Sequence, residues 1–106
     1  MVGKYKVVTL CGSTRFKKEF LDAQARLTLE GYIVLSVCIY GHEDSEFKVD
    51  ADQKRMLDNM HLRKIDLSDE IFVVNVGGYI GETTAAEIEY ARRNGRAVRY
   101  LEEKEV

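Results

Sequence analysis

The stretch VVTLCGSTRFKKEF (residues 7–20) decides how the chain is read. Its apolar, largely β-branched opening has the pattern of a strand buried on both faces. The run breaks at Gly12-Ser13-Thr14-Arg15, and Phe16, Phe20, Ala23 and Leu27 then recur at helical spacing. Strand, short turn and helix in that order open a parallel α/β unit. The turn also raises a functional question. A helix start offers unpaired N–H groups and the positive end of a dipole, which suits an anion. Gly12 lets the backbone come close, Ser13 and Thr14 add hydroxyl donors, and Arg15 presents a fork matched to phosphate. The same residues equally describe a plain cap, with Ser13 or Thr14 on the helix end and Arg15 in solvent. Neither a dinucleotide fingerprint nor a P-loop has this glycine spacing.

Outward from that stretch the alternation continues. Residues 5–11 are expected as the first strand and 15–30 as the first helix, stopped by Gly31. YIVLSVCIY (32–40) reads as a second strand, 41–49 as a polar loop, and 50–67 as a second helix in which Asp50 and Gln53 form a capping box. EIFVVNV (70–76) is the clearest strand, followed by a glycine-rich loop over 77–83. Residues 84–94 form a third helix closed by Gly95, and 97–101 a short last strand before an acidic tail. The expected fold is a single α/β domain over residues 1–106. It is a small three-layer Rossmann- or flavodoxin-like parallel sheet of about four to five strands with helices on both faces. Right-handed crossovers bring the loops 12–15, 40–49 and 77–84 to one carboxyl edge, where such sheets bind ligands.

Composition excludes several classes. Of 106 residues 45% are hydrophobic and 32% charged, so a folded globular chain is expected. Sixteen basic residues against eighteen acidic give a net charge of -2, the wrong balance for a nucleic-acid polymer as partner. No apolar run approaches the ~20 residues of a membrane span, and the first residues lack a signal-peptide core, so a cytoplasmic location is expected. Cys11 and Cys38 lie in apolar runs without metal-ligand spacing, and His42 and His61 complete no set. Reduced core cysteines, no metal and no cofactor are therefore expected.

The second chemical stretch is GGYIGETTAAEIEYARRNG (77–95). Thr84 and Glu87 have the spacing of a capping box, which would make Glu87 a structural residue of the first turn. Yet Glu87 lies at the ligand edge beside Gly77, Gly78 and Gly81, where a carboxylate can be nucleophile or base. Asp69, just before the third strand, falls by topology at the opposite edge as a solvated turn residue. Tyr40, His42 and Glu43 follow the second strand, where they are either exposed or frame a substrate. Tyr40 or Tyr79 could stack on a base, or serve as ordinary aromatics.

Cys11 to Arg15 as Cys-Gly-Ser-x-Arg, the Asp69-led strand to Asn75, and Glu87 to Ala91 as Glu-x-x-Tyr-Ala resemble the nucleoside 2-deoxyribosyltransferase superfamily. The resemblance is closest to its branch of 2'-deoxynucleoside 5'-monophosphate N-glycosidases. It implies Glu87 as the nucleophile at the anomeric carbon, Asp69 as a second active-site acid, and Gly12, Ser13 and Arg15 at the 5'-phosphate. With these, Thr14, Tyr40, His42, Gly78, Tyr79, Gly81, Thr83 and Thr84 make up the expected substrate-binding set. The chain departs from the family at Gly81, six residues before the glutamate, where Asp or Ser is usual.

The expected function is thus cleavage or transfer of the N-glycosidic bond of a (deoxy)nucleoside 5'-monophosphate. Glu87 attacks, and Asp69, Glu82 or His42, in that order, protonates the departing base. The partner would be a small nucleotide or nucleoside, and the family's pairing through helices implies a homodimer or higher homo-oligomer. The alternatives are a noncatalytic nucleotide-binding module, which Gly81 favours, and an interaction domain in which Glu87 only caps its helix.

Overall fold

The computed structural model describes residues 2–37 and 48–103. The elements run β1 (Val7–Gly12), α1 (Lys17–Leu29), β2 (Ile33–Leu35), α2 (Ala51–Asp66), β3 (Glu70–Val74), a 3-10 turn (Val76–Gly78), α3 (Glu82–Arg93) and β4 (Ala97–Tyr100). All four strands are parallel, in the order β2-β1-β3-β4. The chain leaves β1 towards one side of the sheet and returns to build β3 on the other. The switch point therefore lies between β1 and β3.

Strand periodicity separates the two faces. Val8 and Leu10 of β1 with Phe72 and Val74 of β3 pack on Phe20, Ala23 and Leu27 of α1. Cys11, Ile71 and Val73 face the other way, against Ile65 of α2 and Ile88 and Ala91 of α3. The result is the expected three-layer α/β architecture. β1 and β3, covered on both sides, have interior residues that are almost wholly buried.

Several boundaries differ from the sequence expectation. β2 spans only Ile33–Leu35 and pairs with Val7–Thr9 alone, although β1 continues to Gly12. Asp50 does cap α2: its carboxylate accepts from the Gln53 N–H at 2.8 Å, and the Gln53 side chain accepts from the Asp50 N–H at 3.0 Å. α3 has no such box. It starts at Glu82, with extended Gly81 as N-cap and no side-chain cap, so Thr84 and Glu87 are interior helix positions. α1 likewise starts on Phe16 without a side-chain cap, so neither Ser13 nor Thr14 caps it. Residues 38–47, and with them Tyr40, His42, Glu43, Cys38 and most of the expected loop 40–49, lie outside the described residues.

Gly12 ends β1 at a φ of +149°, and a Cβ there would stand 2.9 Å from the Val74 carbonyl oxygen and 3.2 Å from the Phe20 ring. Both neighbours are buried parts of the core. Gly12→Ala therefore combines backbone strain with overpacking and should cost about 2–4 kcal/mol, read as a lowered urea midpoint. Asp50→Ala, which removes only the cap, should cost ~1 kcal/mol.

Candidate functional site

Beyond the carboxyl ends of β1 and β3 lies a cavity of about 470 Å³. That size falls in the roughly 300–1,000 Å³ range of small-molecule sites. One wall is the turn Gly12-Ser13-Thr14 that continues β1. The opposite wall is Tyr79 and the start of α3, from Gly81 through Glu82, Thr83 and Thr84 to Glu87. The third wall is α2, where Lys54, Leu57, Asp58, His61 and Lys64 recur every three or four residues and so share one face.

Eight residues expected at the site thus meet: Gly12, Ser13, Thr14, Tyr79, Gly81, Thr83, Thr84 and Glu87. Arg15 is exposed and does not line the cavity, but its guanidinium lies 4.2 Å from the Tyr79 ring centroid. Tyr79 also meets Phe16 edge-on, so the turn and the approach to α3 hold each other across the cavity mouth. Gly78 is exposed in the 3-10 turn, outside the lining. A Cβ on Gly81 would lie 3.1 Å from the Tyr79 hydroxyl, so that hydroxyl fills the space a larger residue would claim.

Asp69 is not brought to the cavity. It precedes β3 at the amino-terminal edge, where its carboxylate accepts from the Val7 N–H at 2.8 Å and its own N–H donates to the Val7 carbonyl, also at 2.8 Å. This is the edge that topology assigns to it, and its observed task is to fasten the start of β1 to β3.

The α2 wall was not foreseen. Its signal was present as a polar stripe at helical spacing that shares a face with Ile65, but an isolated stripe reads as a solvated surface. His61 is the main surprise, for it is buried. Its Nε2 lies 3.4 Å from the Cys11 Sγ and 3.8 Å from a Glu87 carboxylate oxygen. The three donor atoms fall within 4.8 Å of one another, and all three residues are buried. They come from β1, α2 and α3, so sequence spacing could not have grouped them. A thiol, an imidazole and a carboxylate so placed can share protons or hold a metal ion.

Burial favours the uncharged form of each group. It pushes the Glu87 carboxyl up to about 7, helped by the negative charge of Asp58 and opposed by Lys54 and a hydrogen bond from Cys11. Glu87 sits in the second turn of α3, beyond the first turn where the helix dipole favours a carboxylate, so burial prevails. Burial, with the charge of Lys64, lowers His61 to about 4 against the pull of Asp58. The Cys11 thiol is raised by burial and then by Glu87. At neutral pH the imidazole is therefore uncharged, and its contact with Glu87 is no ion pair.

No protein-family model, curated protein or solved structure matches the chain.

The two shifted groups act on stability in opposite directions. Between pH 4 and 6.5 the unfolded chain holds a His61 proton that the folded chain gives up, so this contribution rises with pH. Between pH 4.5 and 7 the folded chain keeps a Glu87 proton that the unfolded chain gives up, so this one falls with pH. Glu87→Gln should leave the rise and His61→Asn the fall, each on the order of 3 kcal/mol. Thermal melts from pH 4 to 8 with chelator present would read both; flat profiles in the two variants would contradict the burial argument.

Proposed function

We propose that the cavity binds a (deoxy)nucleoside 5'-monophosphate and breaks its N-glycosidic bond with Glu87 as nucleophile. The observation that carries this reading is the Glu87 carboxylate, buried at a cavity on the sheet's switch point and faced by the Gly12-Ser13-Thr14 turn. A phosphate at that turn would meet the Ser13 and Thr14 hydroxyls, with the ammonium groups of Lys54 and Lys64 on the α2 wall. Lys64 also donates to the Ser36 carbonyl at 2.7 Å, which steadies it. Phosphate binding at a distance from C1' would supply energy for positioning the sugar.

In the reaction the C1'–N bond breaks as the Glu87 oxygen bonds to C1', through an oxocarbenium-like transition state. The departing base nitrogen takes a proton from Glu82, the acid among the three sequence candidates that lines the cavity. Water then attacks C1', passing a proton to the Glu82 carboxylate and freeing Glu87, which makes a hydrolase; a second base in that place makes a transferase. Tyr79 offers a face for the base. The homodimer belongs to the same proposal, and a monomeric mass by light scattering at micromolar concentration would count against it.

A noncatalytic nucleotide-binding module is the second reading, supported by Gly81, where the resembled family carries a polar side chain. Incubation with the four deoxynucleoside and four ribonucleoside 5'-monophosphates, with chromatography of free base, separates the two. The enzyme reading expects base release, lost in Glu87→Ala and Glu87→Gln while nucleotide still raises the melting temperature. Because an ionised Glu87 and a protonated donor are both required, the rate should climb with pH towards about 7 and fall again where the donor loses its proton. A nucleotide-dependent melting shift without base release leaves the binder; neither signal removes both readings.

A further inference from the structure

We propose that Cys11, His61 and Glu87 form a site for a thiophilic divalent cation of the zinc type, and that its occupation withdraws Glu87 from the cavity chemistry. The second half rests on the glycosidic reading above; the first does not.

The donor set is the first argument. Thiolate, imidazole and carboxylate are the three protein ligand types of zinc. Magnesium and calcium, which take oxygen ligands, would leave the thiol and imidazole unused. Separation is the second. With Zn–S near 2.3 Å and Zn–N and Zn–O near 2.0–2.1 Å, a tetrahedral centre sets sulfur and nitrogen about 3.6 Å apart and nitrogen and oxygen about 3.4 Å apart. The observed separations are 3.4 Å for Cys11 Sγ to His61 Nε2 and 3.8 Å for His61 Nε2 to Glu87 Oε1. Shifts of a few tenths of an ångström bring these two pairs to the tetrahedral values, and the third pair, the Cys11 Sγ and the Glu87 oxygen, lies within 4.8 Å.

Access and charge complete the case. His61 and Glu87 line the cavity, so a cation can enter and keep a fourth position for water, while Cys11 behind them is fully buried. A thiolate and a carboxylate together balance a doubly charged ion, which removes the cost of leaving either anion buried alone. The remaining charges around the trio are Lys54, Asp58 and Lys64; Asp58 is held by Lys54 at 2.6 Å, so the negative charge that meets the cation comes from the thiolate and carboxylate of the site itself. Binding releases the Cys11 proton, and any proton on Glu87, to solvent. A Glu87 carboxylate bonded to the metal is a weaker nucleophile, and the adjacent cation opposes the positive charge that develops at C1', so a bound ion and glycosidic attack exclude each other.

The test uses the whole chain, reduced, freed of metal with a chelator and titrated with Co²⁺ under anaerobic conditions. The expected result is one equivalent bound, with a thiolate-to-cobalt charge-transfer band and visible bands of tetrahedral intensity that Zn²⁺ bleaches. Cys11→Ser should lose the charge-transfer band and Cys38→Ser should keep it. Glu87→Gln should weaken Co²⁺ binding by at least about tenfold, as should His61→Asn. Circular dichroism would establish that each variant is folded. Absence of the band in the parent chain, or its survival in Cys11→Ser, overturns the site. Base release measured with and without one equivalent of Zn²⁺ then tests the second half: loss that chelator reverses supports it, and equal turnover overturns it. Cobalt binding without base release in either state would sustain the metal site and sink the glycosidic reading. Base release without cobalt binding would do the reverse.

Discussion

Everything at the cavity hangs from the pairing of β1 with β3. The two strands are in register from Val8 beside Glu70 to Gly12 beside Val74, and they end together at the switch point. They can do so because Gly12 has no side chain to strike the Val74 carbonyl. Strand alternation then fixes the chemistry: Gly12 faces α1, and Cys11, one residue earlier, faces α2 and α3. A one-residue slip would exchange those faces and send the thiol to the wrong layer.

The same pairing creates an electrostatic conflict in the layer between sheet and helices. Three ionisable groups are buried there, and burial drives each towards its neutral form. Neutrality suits the packing but not a nucleophile, which has to be an anion. In the proposed reaction the positive charge developing at C1' would resolve the conflict one way, and a cation bonded to all three groups would resolve it another. On the two proposals, both resolutions draw on one carboxylate.

The layered fold was legible because strand and helix periods alternate without ambiguity, and EIFVVNV could hardly be anything but a central strand. The Asp50 cap was legible because both partners of its box lie within four residues. The box at Thr84 and Glu87 misled for the same local reason: Gly81 accepts an extended N-cap conformation, and with α3 begun there Thr84 and Glu87 turn inward. The glycines, Thr83, Thr84 and Glu87 could be placed at the carboxyl edge from topology alone. Topology likewise put Asp69 at the far edge, against the resemblance, and the Val7 hydrogen bonds explain what it does there. The α2 wall was not legible, since Cys11, His61 and Glu87 become neighbours only through tertiary packing.

The β1–β3 pairing also dictates an order of events in folding. Val7 and Asp69, which exchange hydrogen bonds where the two strands begin, are 62 residues apart in sequence. Closing so long a loop carries an entropic cost before any contact repays it, and parallel pairing of this kind is slow. During synthesis β1 emerges early and has only the short edge strand β2 for a neighbour until β3 follows. Its apolar residues Val8, Leu10 and Cys11 stay open to wrong partners throughout that interval. The strand that seats the site is therefore the segment most in need of protection while the chain is being made.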